Sequence, residues 1–259
     1  MRDAPMLEIH DLTKSFGGLT AVRGVTTRFE TGRVTAVIGP NGAGKSTFFN
    51  LISGVHRPTS GRVRLEGRDV TGLRPDQMAR RGVARSFQTT TLFDKATVLD
   101  NLIVGHRLRT TATLWDVLLN TRRHRADERA CRDKAEEALE FVGLSAAAHR
   151  LAGEISQEER KRVAFALALA TGPKLLLLDE PAGGVNPDET AGLAALIRKM
   201  VASGLTVCLI EHKMDMIMSL ADKIVVLDHG EMIAEGTPAE IRRDPRVIEA
   251  YLGADHAAA

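Results

Sequence analysis

The chain has 259 residues, of which 44% are hydrophobic and 26% charged, enough to bury a full core without disulfides or structural metals. Its 35 Lys/Arg against 33 Asp/Glu give a net charge of +2, so no basic bulk points to nucleic acid. Cys131 and Cys208 stand far apart and in no metal-ligand spacing, which suits a reducing compartment; no apolar leader follows Met1-Arg2-Asp3-Ala4-Pro5, so no secretory signal is expected.

Residues 6–38 carry short apolar alternations (Leu7, Ile9; Val25; Val34, Ala36, Ile38) separated by Gly17-Gly18, Gly24 and Gly32, the pattern of strands and turns. The run Val34 to Ile38 leads into Gly39-Pro40-Asn41-Gly42-Ala43-Gly44-Lys45-Ser46-Thr47, which matches a P-loop. Glycines let successive backbone N–H groups converge on phosphate oxygens, Lys45 adds a point charge, and the Ser46 hydroxyl is placed to hold Mg²⁺. The helix that follows contributes the positive end of its dipole. From Phe48 the spacing is helical (Phe48, Phe49, Leu51, Ile52) and stops at Gly54, with Pro58 beyond. Arg62 to Glu66 and Val83 to Gln88 read as strands, and Pro75 to Arg81 as a short helix between them.

From Thr97 to about Ala170 the apolar spacing is almost entirely helical, which predicts a helical insertion in an α/β domain. Residues 105–134 hold eight Lys/Arg against four Asp/Glu, clustered at Arg122-Arg123-His124-Arg125; this is either a solvated helix end or a docking surface for a partner or anionic headgroups. Trp115 reads as local core. The longest apolar stretch, Val163 to Leu178, is broken by Thr171-Gly172-Pro173-Lys174, so no membrane span is expected.

Leu175-Leu176-Leu177-Leu178 is apolar without alternation, as in a parallel strand covered on both faces, and Asp179-Glu180 follows directly. A carboxylate at that strand end can bind Mg²⁺ and its neighbour can polarise an attacking water. Asp188 to Ser203 is helical, Leu205 to Ile210 is strand, and Glu211-His212 ends it. Met214 to Leu220 reads as helix, Lys223 to Leu227 as strand, and His229-Gly230 as a hairpin turn into Glu231 to Ala234; the tail from Ala254 is expected to be disordered. Strands alternating with helices after a P-loop predict an open α/β sheet with the phosphate site at the carboxyl edge of the strands.

In order and spacing, Gly39 to Thr47, Gln88, the Ser156 region, Leu175 to Glu180 and His212 resemble the nucleotide-binding subunit of an ABC transporter over nearly the whole chain. The stretches Arg85-Ser86-Phe87-Gln88, Leu92-Phe93, Asn101-Leu102 and Val226 through Gly253 further resemble the ATPase subunits of branched-chain amino acid uptake systems, relatives of which carry urea, amides or small carboxylic acids. The resemblance implies an α/β P-loop NTPase core of the ABC type, with an N-terminal antiparallel β subdomain and an inserted α-helical subdomain. Its parts would be 1–96 with 172–235, then 97–171, with 236–259 as a C-terminal extension.

It also implies ATP and Mg²⁺ as ligands, with Phe16 stacking on adenine, Val22 packing nearby, and Asn41, Gly42, Ala43, Gly44, Lys45, Ser46 and Thr47 on the phosphates. Ser46, Gln88 and Asp179 would serve the metal, Glu180 would be the general base, and His212 would sense the γ-phosphate. The implied partners are integral membrane permease subunits and a second ATPase subunit, with no nucleic acid, at the cytoplasmic face of the membrane. Asn186 stands where many relatives carry Asp.

The family signature Leu-Ser-Gly-Gly-Gln corresponds here to Ile155-Ser156-Gln157-Glu158-Glu159-Arg160, with Glu158 in place of a Gly. In the family this stretch closes over the partner's ATP. A carboxylate about 4 Å from that phosphate would cost roughly 4 kcal/mol at an effective dielectric of 20, so a weakened signature and two unequal ATP sites are expected unless Glu158 turns away. A regulatory subunit with low turnover is the alternative reading.

Overall fold

The computed structural model describes residues 4–86, 92–106, 116 and 121–256. The chain divides into two compact units, one made of residues 1–85 and 174–259, the other of residues 86–173.

In the first unit, β1 (Leu7–Phe16) and β2 (Leu19–Phe29) form an antiparallel hairpin that continues through β4 (Ser60–Leu65) to β5 (Arg68–Asp69), in the order β2-β1-β4-β5. The alternation read in the sequence turns Leu7, Ile9 and Leu12 into a core that also holds Val22, Val25 and Phe29. The second sheet has the order β10-β9-β3-β8-β7-β6. Its strands are β3 (Val34–Ile38), β6 (Val83–Ser86), β7 (Leu175–Asp179), β8 (Thr206–Ile210), β9 (Lys223–Asp228) and β10 (Glu231–Gly236).

β9, β3, β8 and β7 run parallel, and every residue of β3, β7 and β8 is buried, which is why these strands read as unbroken apolar runs. The register pairs Val37 with Ile210 and Ile210 with Asp179, so the carboxyl ends of β3, β8 and β7 lie at one edge. Helices α1 (Lys45–Ile52), α2 (Pro75–Arg80), α6 (Pro187–Ala202) and α7 (Met214–Leu220) also belong to this unit. A last helix, Pro245–His256, occupies part of the tail for which disorder was expected.

The second unit is helical. Its helices α3 (Val98–His106), α4 (Arg122–Phe141) and α5 (Gln157–Ala170) bury Val98, Leu99, Leu102, Ala135, Leu139 and Val163. Thr121 caps α4, and Arg122 and Arg125 beside it are exposed. Trp115 lies outside the described residues. Cys131 and Cys208 are free thiols, both buried. Among the described residues no helix is long and apolar enough to cross a membrane.

Candidate functional site: a nucleotide loop at the sheet edge

The loop between β3 and α1 is shaped by its glycines. Gly39 has φ 148° and Gly44 φ 94°, and a Cβ on them would lie 2.0 Å from the Leu227 carbonyl oxygen and 2.3 Å from that of Ala21. No other residue type fits either place without moving backbone. The loop is also braced from outside, since Gly230 N–H donates to Ala43 O at 3.1 Å and Arg23 N–H to Gly230 O at 2.8 Å. Asn41, Gly42 and Ser46 face solvent, Thr47 is half-buried and Ala43 is buried. Lys45 opens α1 and folds back, its Nζ donating to Gly39 O at 2.7 Å and Pro40 O at 2.8 Å. Burial pushes its amine below the ordinary lysine value, and the charge of Glu180 opposes that shift.

Across the sheet edge, β7 ends at Asp179 and the next residue, Glu180, has φ 48°, a left-handed conformation that costs a residue with a Cβ. Its N–H donates to Ile210 O at 2.9 Å, and its Oε1 lies 3.1 Å from His212 Nε2. The structure thus brings the candidate base and the candidate γ-phosphate sensor into hydrogen-bond contact, though 32 residues separate them.

Two further charged residues, Arg85 and Glu211, to which the sequence assigns no role of their own, also stand here. Arg85 Nη2 lies 2.7 Å from Asp179 Oδ2, while its Nη1 donates to Asn50 Oδ1 at 2.6 Å and Ser53 Oγ at 3.1 Å. Glu211, only 3% exposed, accepts from the Ala182, His212 and Lys213 N–H groups at 2.9, 2.8 and 3.3 Å. Neither had a legible signal: an Arg in a strand and a Glu before a His are ordinary until their distant partners are placed. Asn186 caps α6 by accepting from Glu189 N–H at 2.9 Å, a role Asp fills equally well.

Phe16, at the end of β1, is 43% exposed, with the His56 ring edge-on at 5.3 Å and Lys14 Nζ 4.8 Å from its centroid. Val22, the residue expected to pack near Phe16, is fully buried in the core cluster, on the strand β2 that pairs with the strand of Phe16. Gln88 lies outside the described residues.

In the helical unit, Ser156 caps α5. Its Oγ accepts from Glu159 N–H at 3.1 Å and its N–H donates to Glu159 Oε2 at 2.7 Å, a reciprocal capping box. The Ser156 N–H holds the Glu159 carboxyl below its ordinary range; burial opposes this and Arg150 assists it. Gln157 is exposed. Glu158 runs along the helix to Arg162, 2.6 Å away and one turn further from the N-terminus, and Arg162 Nη1 is itself held by Val142 O at 3.1 Å. The carboxylate expected to crowd the phosphate-facing end of the signature is directed away from it.

A family model described as "ABC transporter" matches residues 22–183, and one described as "Branched-chain amino acid ATP-binding cassette transporter" matches residues 231–257. The chain is 44% identical to the high-affinity branched-chain amino acid transport ATP-binding protein BraF of Pseudomonas aeruginosa, over 96% of this chain and 98% of the relative. It is 40% identical to the corresponding protein LivG of Escherichia coli K12 over the same shares. Among solved structures it resembles an ATP-binding cassette of an ABC transporter in its ADP conformation, with a TM-score of 0.85, 34% identity, and coverage of 96% of this chain and 99% of that one.

Proposed function

The chain belongs to the ABC transporter family as an ATP-hydrolysing importer subunit, and from that premise we propose that it energises the uptake of branched-chain amino acids. The names of the relatives over the whole chain and the match of the C-terminal 231–257 segment support this solute class. Such subunits dimerise and work with membrane permeases. In this reading the partner is a second, different ATPase subunit, and the pair sits peripherally at the cytoplasmic face.

The contact between Glu180 and His212 at the edge shared with Lys45 is the observation that carries the mechanism. Backbone N–H groups of 41–46 cradle the phosphates, Lys45 neutralises their charge, and Phe16 offers its exposed ring to the base. Ser46 and Asp179 would offer the hard oxygen donors that suit Mg²⁺, whose chemistry there would be screening of phosphate charge. Glu180 accepts the proton of the attacking water, and His212 positions both Glu180 and the γ-phosphate. Ser156, with its helix N-terminus, completes the site of the partner subunit, and the Glu158–Arg162 pair supports a signature able to do so.

The test is transport by the assembled complex in vesicles. With Glu180→Gln, ATP binding is expected to persist while ATP-dependent leucine uptake and hydrolysis fall by about a hundredfold or more. Normal hydrolysis by this variant removes Glu180 from its role, and uptake of a urea or amide in preference to leucine replaces the solute class.

A further inference from the structure

We propose that Glu211 is a positioning residue that clamps the segment after the general base to the segment bearing His212, so that the two move as one piece. The inference rests on the roles given above to Glu180 and His212. The two oxygens of Glu211 serve different segments. Oε2 accepts from Ala182 N–H at 2.9 Å, two residues beyond Glu180, and Oε1 accepts from the N–H groups of His212 at 2.8 Å and Lys213 at 3.3 Å.

Burying a carboxylate is costly unless its oxygens are hydrogen-bonded, and here the donors are backbone N–H groups of the two segments. The arrangement therefore exists only while both segments keep their relative placement. A second tie runs parallel to it: Lys213 Nζ donates to Val185 O at 2.8 Å and to Thr190 Oγ1 at 2.9 Å, in the same stretch that follows Glu180.

The clamp has something to hold. Glu180 carries φ 48°, a backbone state that persists in a non-glycine residue only when its surroundings over-determine it. Its own N–H is fixed on Ile210 O at 2.9 Å, and Glu211 fixes the chain two residues later, so the strained residue is gripped on both sides. That grip aims the Glu180 carboxylate at His212 Nε2, 3.1 Å away, on the segment the same Glu211 holds by its other oxygen. Because both oxygens accept from N–H donors, the chemistry demands a carboxylate. A glutamine would turn an NH₂ group toward N–H donors on one side or the other and release one segment.

The experiment compares wild type, Glu211→Gln, His212→Ala and the double variant in the assembled transporter, measuring kcat, KM and equilibrium ATP affinity. Glu211→Gln is expected to lower kcat by about ten- to a hundredfold, the effect of a misplacement of about 1 Å, with ATP affinity within about threefold of wild type. Adding Glu211→Gln to His212→Ala is expected to cost little more than His212→Ala alone, since residues acting as one unit are non-additive.

A folded Glu211→Gln protein with wild-type kcat, an ATP affinity that falls in step with kcat, or a double variant showing the full product of the single losses each overturns the clamp. If Glu211→Gln does not accumulate as folded protein, Lys213→Met probes the parallel tie. A lowered kcat at unchanged ATP affinity supports the clamp, and an unchanged kcat overturns it. Glu180→Gln is run alongside: if it hydrolyses ATP normally the underlying reading fails, whereas an inactive Glu180→Gln beside a fully active Glu211→Gln removes the clamp alone.

Discussion

Arg85 and Asp179 form an ion pair at 2.7 Å with side chains only 12% and 9% exposed, which links β6 to the end of β7. The same guanidinium bonds Asn50 and Ser53 at the end of α1 and lies over the Phe49 ring at 5.8 Å. The carboxylate proposed above for the metal is therefore joined through Arg85 to the helix that follows the glycine-rich loop.

Removing Arg85 should leave that carboxylate buried without its cation. Arg85→Met is expected to destabilise the ligand-free chain by about 3 kcal/mol, the usual cost of breaking a buried pair from one side. A cation on Asp179 would offset the loss. Thermal unfolding should therefore show a larger stabilisation by ATP with Mg²⁺ than by ATP with EDTA, and the difference should be greater in Arg85→Met than in wild type. Equal shifts in the two proteins would mean that Asp179 does not meet the metal.

Two neighbouring glycines separate strain from collision. At Gly42, φ is 82° and a Cβ would meet nothing within 4 Å, so Gly42→Ala is charged only for its backbone conformation, about 1–2 kcal/mol. At Gly44, φ is 94° and a Cβ would also strike Ala21 O at 2.3 Å. Gly44→Ala should lower the unfolding midpoint further and weaken ATP binding more than Gly42→Ala, as read by calorimetry and equilibrium titration.

The Glu158–Arg162 pair makes an opposite forecast for its two members. Glu158→Gly should leave ATPase activity of the assembled complex within about twofold of wild type, because the carboxylate already points away from the signature end. Arg162→Met, which frees Glu158, should slow hydrolysis, and Glu158→Gly added to it should restore the rate. A marked rise in turnover with Glu158→Gly alone would revive the picture of a signature weakened by charge.

Ser156→Ala removes the cap of α5 and is expected to cost about 1 kcal/mol in thermal unfolding of the subunit. The capping carboxylate carries a pH signature as well. The folded value of Glu159 lies below its ordinary 4.5, so its contribution is fully present above 4.5 and is lost as pH falls through the folded value. The stability gap between wild type and Glu159→Gln should accordingly close under acid and stay constant from pH 5 to 7 (about two units of plateau).

Much of this site was legible in the chain because its signals are local. Gly39 to Thr47 is a continuous stretch, Asp179-Glu180 follows an apolar run, and His212 follows another; each reading needs only a few neighbours. Even the turning of Glu158 lay within reach, since Arg162 stands four residues on, on the same helix face. By itself the sequence determined the order of most strands and helices, the glycine-rich loop and the candidate residues for hydrolysis.

Tertiary structure alone decided which of these act together. Arg85 meets Asp179 across 94 residues and Glu211 meets Ala182 across 29, contacts that exist because β7 lies between β6 on one side and β8, paired parallel to it, on the other. Burial there made a carboxylate worth holding by three N–H groups, and no spacing along the chain records how deeply a side chain is removed from water.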